Sequence, residues 1–181
     1  MNLKPLFNVL GALLTLLGIT MVVPIFISYF TEGYDLFGFI YSSLICISIG
    51  TPIWFFTRHN KSLNNKVGFA VVTFSWIFAA IGSSLPFYLS GAIPNYTDAF
   101  FESVSGWTTT GATIITSLDI LSPSILIYRQ ELQWLGGMGL VILAIAILPM
   151  LGVGGNLLYK AESTGPIKAV SYTHLTLPTK A

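Results

Sequence analysis

DAFFESVSGWTTTGATII, residues 98–115, is the stretch whose reading decides this fold. Thr97 or Asp98 can cap a helix, because their oxygens accept from the free N–H groups of a first turn and an acidic residue there suits the helix dipole. Phe100, Val104 and Trp107 then fall at i, i+4 and i+7, while Glu102, Ser103 and Ser105 occupy other faces. The spacing predicts a short amphipathic helix of about ten residues, roughly 15 Å long and so half a membrane thick. Thr108, Thr109 and Thr110 followed by Gly111 do not continue it. β-Branched residues stiffen the chain and glycine releases it into positive φ, so extended backbone is expected. Irregular backbone at membrane depth is tolerated only where protein buries it or it lines a water-filled path. A half-helix followed by such a strand has the shape of a re-entrant pore loop. The plainer alternative is that the threonine hydroxyls bond back to the preceding turn, as they do in many membrane helices.

The electrostatics of that shape favour a cation. A half-helix ending near the midplane presents about half a negative charge from its unpaired carbonyls. The strand after it offers further C=O groups, and threonine hydroxyls add neutral oxygen ligands. Such oxygens replace a hydration shell while holding a monovalent ion weakly enough to release it.

The rest of the chain supplies the membrane. Only eight basic and seven acidic residues occur among 181, with 54% hydrophobic residues. That is too little charge to cover a water-facing surface. Four charge-free runs are long enough to span: Pro5–Thr31, Leu36–Thr57, Val67–Thr97 (helical to about Leu89, with Pro94 and Asn95 breaking it) and Leu132–Tyr159. The first is too long for a signal-peptide core and no small-residue cleavage site follows it. Pro24, Pro52 and Pro149 sit in or near spans, where kinks are tolerated. Lys4, the group Arg58, His59, Lys61 and Lys66, and then Lys160 and Lys168 mark cytoplasmic loops by the positive-inside rule. Glu32 and Asp35, and the segment carrying Asp98, Glu102, Asp119, Arg129 and Glu131, fall outside. The expected topology is N-terminus in, four crossings, C-terminus in.

Other functions are weighed against this one. The net charge of +1, with no basic cluster, gives no footprint for nucleic acid. The single Cys46 excludes a disulfide within the chain and reads as a small buried apolar residue. An intramembrane hydrolase built on Ser105 needs a base within the bilayer, and no span contains His or Lys. The chain is therefore read as not an enzyme and as needing no organic cofactor. A structural or assembly subunit with one pore loop stays open. Asp98 and Glu102 are read as solvated or capping carboxylates that can add negative potential at an outer mouth. Gly136, Gly137 and Gly139 suit either a hinge or, more simply, close helix packing. Gly152, Gly154 and Gly155 read as the end of the fourth helix. Arg129 anchors the outer end of the fourth span, with Glu131 or Glu102 as a partner. Trp54, Trp76, Trp107 and Trp134 include interface anchors.

The order of half-helix, TTTGAT (108–113), QWLGGMGLVILAIAILPMLGVGG (133–155) and AESTGPIK (161–168) closely resembles the membrane subunit of the bacterial Trk/Ktr potassium uptake family, Trk branch. The resemblance implies an all-α membrane protein: two extra transmembrane helices (1–60), then the first repeat of outer helix, pore helix with filter strand, and inner helix (61–170). It implies that backbone carbonyls around Thr109, Thr110 and Gly111 form one quarter of a potassium filter that Ala112 and Thr113 continue. Potassium would be the transported ion, bound and released at the bacterial inner membrane. It further implies a second copy of the full-length transporter, a cytosolic nucleotide-binding regulatory ring, and lipid as surroundings. Family members run to several hundred residues, so one repeat is expected to be an N-terminal fragment. SYTHLTLPTKA, residues 171–181, does not follow the family's continuation and is expected to be a non-native tail.

Overall fold

A computed structural model describes residues 4–57, 65–118 and 121–150. The loop residues Arg58, His59, Lys61 and Asp119, and everything from 151 onward, including Gly152, Gly154, Gly155, Lys160, Lys168, His174 and the 171–181 tail, lie outside the described residues. The chain divides into two compact units, Met1–Val141 and Ile142–Ala181. Among the described residues every regular element is a helix: α1 Lys4–Thr20, α2 Val22–Phe30, α3 Leu36–Thr57, α4 Asn65–Leu89, α5 Tyr96–Trp107 and α6 Pro123–Met150. Among the described residues three segments are long and apolar enough to cross a membrane, Lys4–Phe30, Leu36–Thr57 and Val67–Leu89. They coincide with the first three expected spans.

The first span breaks into α1 and α2 at Met21, which stays in the αR region (φ −60°, ψ −9°). Pro24 is the cause, since it has no N–H to return to the Thr20 carbonyl. Pro86 likewise lacks an N–H, but it sits inside α4 without breaking it. The Gly82 carbonyl it frees faces the buried Cys46 thiol, which donates to it at 3.8 Å. The helix expected over the fourth charge-free run begins nine residues sooner, at Pro123. Pro suits a first helical turn, and the Ser122 hydroxyl accepts from the Ile125 N–H at 3.4 Å as a cap. A charge-based boundary placed the start too late because Arg129 and Glu131 lie within the helix.

α1 and α3 meet backbone to backbone through glycines. A Cβ on Gly50 would lie 2.6 Å from the Thr15 nitrogen, and one on Gly11 would lie 2.5 Å from the Trp54 nitrogen. Small residues let helices approach this closely in membranes. Ser43 then donates to the Gly18 carbonyl at 2.7 Å, and the Asn8 amide reaches Trp54 O and Thr57 Oγ1 at 3.3 Å. Gly50→Val is expected to cost about 1–3 kcal/mol by overpacking, visible as a lower thermal midpoint in detergent.

α1, α3, α4, α5 and the start of α6 share one core. It includes Leu14, Leu17, Met21, Phe39, Phe87, Trp107, Tyr128 and Leu132. Tyr128 is its hub, packed edge-on to Phe39 at 5.2 Å and tilted against Phe87 at 5.2 Å, with its hydroxyl donating to the Ser83 carbonyl. At one end of this core Asp35, read from sequence as a loop charge, is completely buried. Its carboxylate accepts from Ser28 at 3.0 Å, from Ser122 at 2.9 Å and from Ser124. The α2–α3 turn and the entry to α6 therefore lie on the same side of the bundle.

Candidate functional site: the end of α5 and the strand after it

The cap of α5 lies two residues before Thr97 and three before Asp98, the two expected caps. Asn95, in extended conformation, accepts from the Thr97 N–H at 3.0 Å. Asp98 is half-buried in the first turn, where its charge complements the dipole. The buried face also differs from expectation. Ala99, Glu102, Ser103, Ser105, Gly106 and Trp107 point inward, Phe100 and Val104 are only half-buried, and Phe101 is exposed. In an apolar solvent the aromatic side chains gain little from moving inward, whereas small and polar ones gain close packing and hydrogen bonds. Ala99, Ser103 and Gly106 repeat at i, i+4 and i+7, which is the signal for this face in the sequence. A Cβ on Gly106 would stand 3.0 Å from Leu132 Cβ. Ser103 bonds Ser83 Oγ at 2.8 Å and the Ala80 carbonyl at 2.9 Å, while Trp107 Nε1 donates to Ser83 Oγ at 2.7 Å. These bonds fix the depth and rotation of α5 against α4.

The helix ends in a Schellman turn. The Thr109 N–H bonds the Gly106 carbonyl and the Thr110 N–H bonds the Ser105 carbonyl, both at 3.1 Å. The left-handed residue in the turn is Thr109, at φ 54°. Glycine usually fills that position, and a β-branched side chain there costs on the order of 1–3 kcal/mol. Gly111 follows at φ 75°. Thr108 does bond back to the preceding turn, donating to the Val104 carbonyl at 2.8 Å, and its hydroxyl contacts that of Thr110. Among the described residues the carbonyls of Trp107 through Gly111 accept no hydrogen bond. Residues Thr108 through Ile114 form an exposed run with no strand pairing.

Beyond Gly111 the chain is tied back to α5. The Ser105 hydroxyl donates to the Ala112 carbonyl at 2.5 Å. Thr113 Oγ1 lies 3.0 and 3.1 Å from the two Glu102 oxygens, and the Ile114 N–H donates to Glu102 Oε2 at 3.3 Å. Glu102 is 3% exposed instead of solvated. Arg129 of α6, itself buried, donates to Glu102 Oε1 from Nε and Nη2, each at 2.6 Å. Of the two partners weighed for Arg129, the structure selects Glu102. The sequence reading missed the burial of Glu102 and the bonds by which Glu102 and Ser105 hold the chain after α5.

The three glycines of α6 differ in surroundings. A Cβ on Gly136 would lie 2.7 Å from the Trp107 carbonyl carbon and closer still to its oxygen; on Gly137 it would lie 3.6 Å from Thr109 Cγ2; on Gly139 it would meet nothing within 4 Å. Gly136 is thus where α6 passes directly over the end of α5.

The family model described as TrkH, cation transport protein, matches residues 36–177. The chain belongs to the TrkH family. TrkH relatives include the Trk system potassium uptake protein TrkH of Halomonas elongata, 46% identical over 170 residues that make up 93% of this chain and 35% of the relative. Its Escherichia coli K12 counterpart is 42% identical over 171 residues, again 35% of that protein. The crystal structure of the potassium transporter TrkH from Vibrio parahaemolyticus superimposes with a TM-score of 0.79 at 38% identity, covering 98% of this chain and 38% of that one. The chain therefore spans little more than a third of the TrkH proteins it matches, and its helical fold is theirs.

Proposed function

We propose that this chain contributes one pore loop to a potassium uptake protein of the bacterial inner membrane, with its N-terminus cytoplasmic and the rest of the pore supplied by sequence beyond it. The observation that carries this reading is the run of carbonyls from Trp107 through Gly111, on residues exposed from Thr108 onward, that accept no hydrogen bond among the described residues at the C-terminal end of α5. Unpaired carbonyls at a helix C-terminus are electronegative, and neutral oxygens are what a dehydrated monovalent cation needs. Thr109, Thr110 and Gly111 carry the ligating backbone. Ala112 and Thr113 continue the strand, with the Ala112 carbonyl and the Thr113 hydroxyl turned to α5. Asp98, near the start of α5, adds negative potential at the outer mouth. The relatives' names supply the ion and the uptake role, and their membership of a Trk system supports partner subunits, which we propose are a cytosolic nucleotide-binding ring and a second copy of the transporter.

The test is growth of a potassium-uptake-deficient bacterium at limiting potassium, with the complete reading frame that contains this chain. Wild type is expected to restore growth, and failure to do so overturns the proposal. Gly111→Ser is expected to abolish rescue with protein still in the membrane. Nothing lies within 4 Å of a Cβ at Gly111, so the change acts through backbone at φ 75° that a side chain disfavours by about 1–2 kcal/mol.

A further inference from the structure

We infer that the buried Glu102–Arg129 pair positions the filter strand and thereby sets discrimination between potassium and sodium; this rests on the proposed uptake function. The strand after α5 is held at two places. At its start the Schellman turn fixes Thr109 and Thr110 through their N–H groups. At its far end three consecutive residues are held by α5: Ala112 by the Ser105 hydroxyl, Thr113 and Ile114 by the Glu102 carboxylate. Gly111, between the two anchors, makes no hydrogen bond among the described residues and takes the positive φ that lets the chain turn. The spread of the carbonyls from Trp107 to Gly111 is therefore fixed by the distance between the anchors.

Glu102 is the only charged member of that far anchor, and it faces three ways at once. One oxygen takes both Arg129 donors, while the other takes the Ile114 N–H, and the Thr113 hydroxyl lies within reach of both. Charge-assisted bonds of this kind are short and directional. Arg129 sits on α6, one turn before Leu132 and Gln133, and the guanidinium, the carboxylate, Ser105 and Ala112 close around one another with almost no free space. A displacement of α6 at Arg129 is thus passed through Glu102 to Thr113 and Ile114 without slack. The Glu102 oxygens are taken up by Arg129, Thr113 and Ile114. Both residues act through the strand, as positioning residues.

Selectivity responds to carbonyl spacing and number, because the smaller sodium ion needs closer oxygens for the same dehydration energy. A part that merely holds the protein together alters how much transporter is present; one that sets spacing alters the ratio of ions carried. The full-length transporter is assayed in proteoliposomes for potassium and sodium uptake at equal driving force. Glu102→Ala is expected to lower the potassium-to-sodium ratio about tenfold, the scale of one lost charge-assisted hydrogen bond. Glu102→Gln, whose one amide oxygen can still accept from Ile114 and Thr113 while its NH2 loses the bond to Arg129, is expected to fall between Glu102→Ala and wild type. Thr113→Val removes one hydroxyl, which bonds Glu102 and accepts from the Ile115 N–H at 3.1 Å, and leaves the ion pair whole, so it folds whether or not Glu102→Ala does; it is expected to lower the ratio about threefold. If Glu102→Ala does not reach the membrane, Thr113→Val decides. An unchanged ratio in Thr113→Val, or in Glu102→Ala that accumulates normally, overturns the inference. Wild-type protein that carries no potassium overturns the uptake proposal instead, so the two failures are distinct.

Discussion

Gly136→Ala is expected to lower potassium uptake about a hundredfold, with the protein still folded and in the membrane. The added methyl carbon would lie 2.7 Å from the Trp107 carbonyl carbon and 2.9 Å from its Cα, so backbone must move. Trp107 cannot yield by turning its side chain. Its indole N–H is held by Ser83 and its ring stands edge-on to Trp76 at 6.1 Å. The end of α5 must therefore shift away from α6 by roughly an ångström, a misplacement that costs two orders of magnitude in sites built on fixed geometry. The carbonyls that follow Trp107 shift with it. Gly137→Ala, one position on, meets only an ordinary contact with Thr109 Cγ2 at 3.6 Å and is expected to keep most of the uptake. Rubidium flux per unit of membrane protein, measured for both variants, checks the contrast; equal flux through Gly136→Ala and wild type refutes it.

Arg129→Ala is expected to destabilise the protein by about 3–5 kcal/mol. Arg129 and Glu102 are 9% and 3% exposed, and both guanidinium contacts run to one carboxylate oxygen. Removing the cation leaves a buried carboxylate held only by Thr113 and the Ile114 N–H. The cost lies in the charge left behind, so removing it should restore stability. Arg129→Leu combined with Glu102→Gln is expected to recover most of the loss, because an uncharged side chain can still accept from Thr113 and Ile114. Thermal midpoints in detergent separate the cases, and equal midpoints for the single and double variants would contradict this account.

The sequence made the spans legible because a bilayer imposes a simple rule on charge. Leu36–Thr57 and Val67–Leu89 are the uncharged stretches themselves. The same rule misplaced the start of α6, since it counts Arg129 as a charge although Glu102, 27 positions away, neutralises it inside the bundle. The half-helix and its end were also legible, from the threonine run and Gly111, although the chain beyond turns left-handed at Thr109 and Gly111 instead of running extended. Its orientation was not. Amphipathic reasoning sends Phe100 inward, as water would, and here the small and hydroxylated face is buried instead. Thr109 at φ 54° gave no warning either, because a β-branched residue is the least expected choice for a left-handed turn.

Asp35 has a consequence for how the molecule is made. Its carboxylate is completed by Ser122 and Ser124, which follow it by 87 and 89 residues. At about 5–20 residues per second, a ribosome needs roughly 4 to 17 s to cover that interval. Throughout it the α2–α3 turn carries a charge with only Ser28 to meet it, and that charge must stay hydrated. The turn is thus expected to stay hydrated until the entry to α6 closes over it.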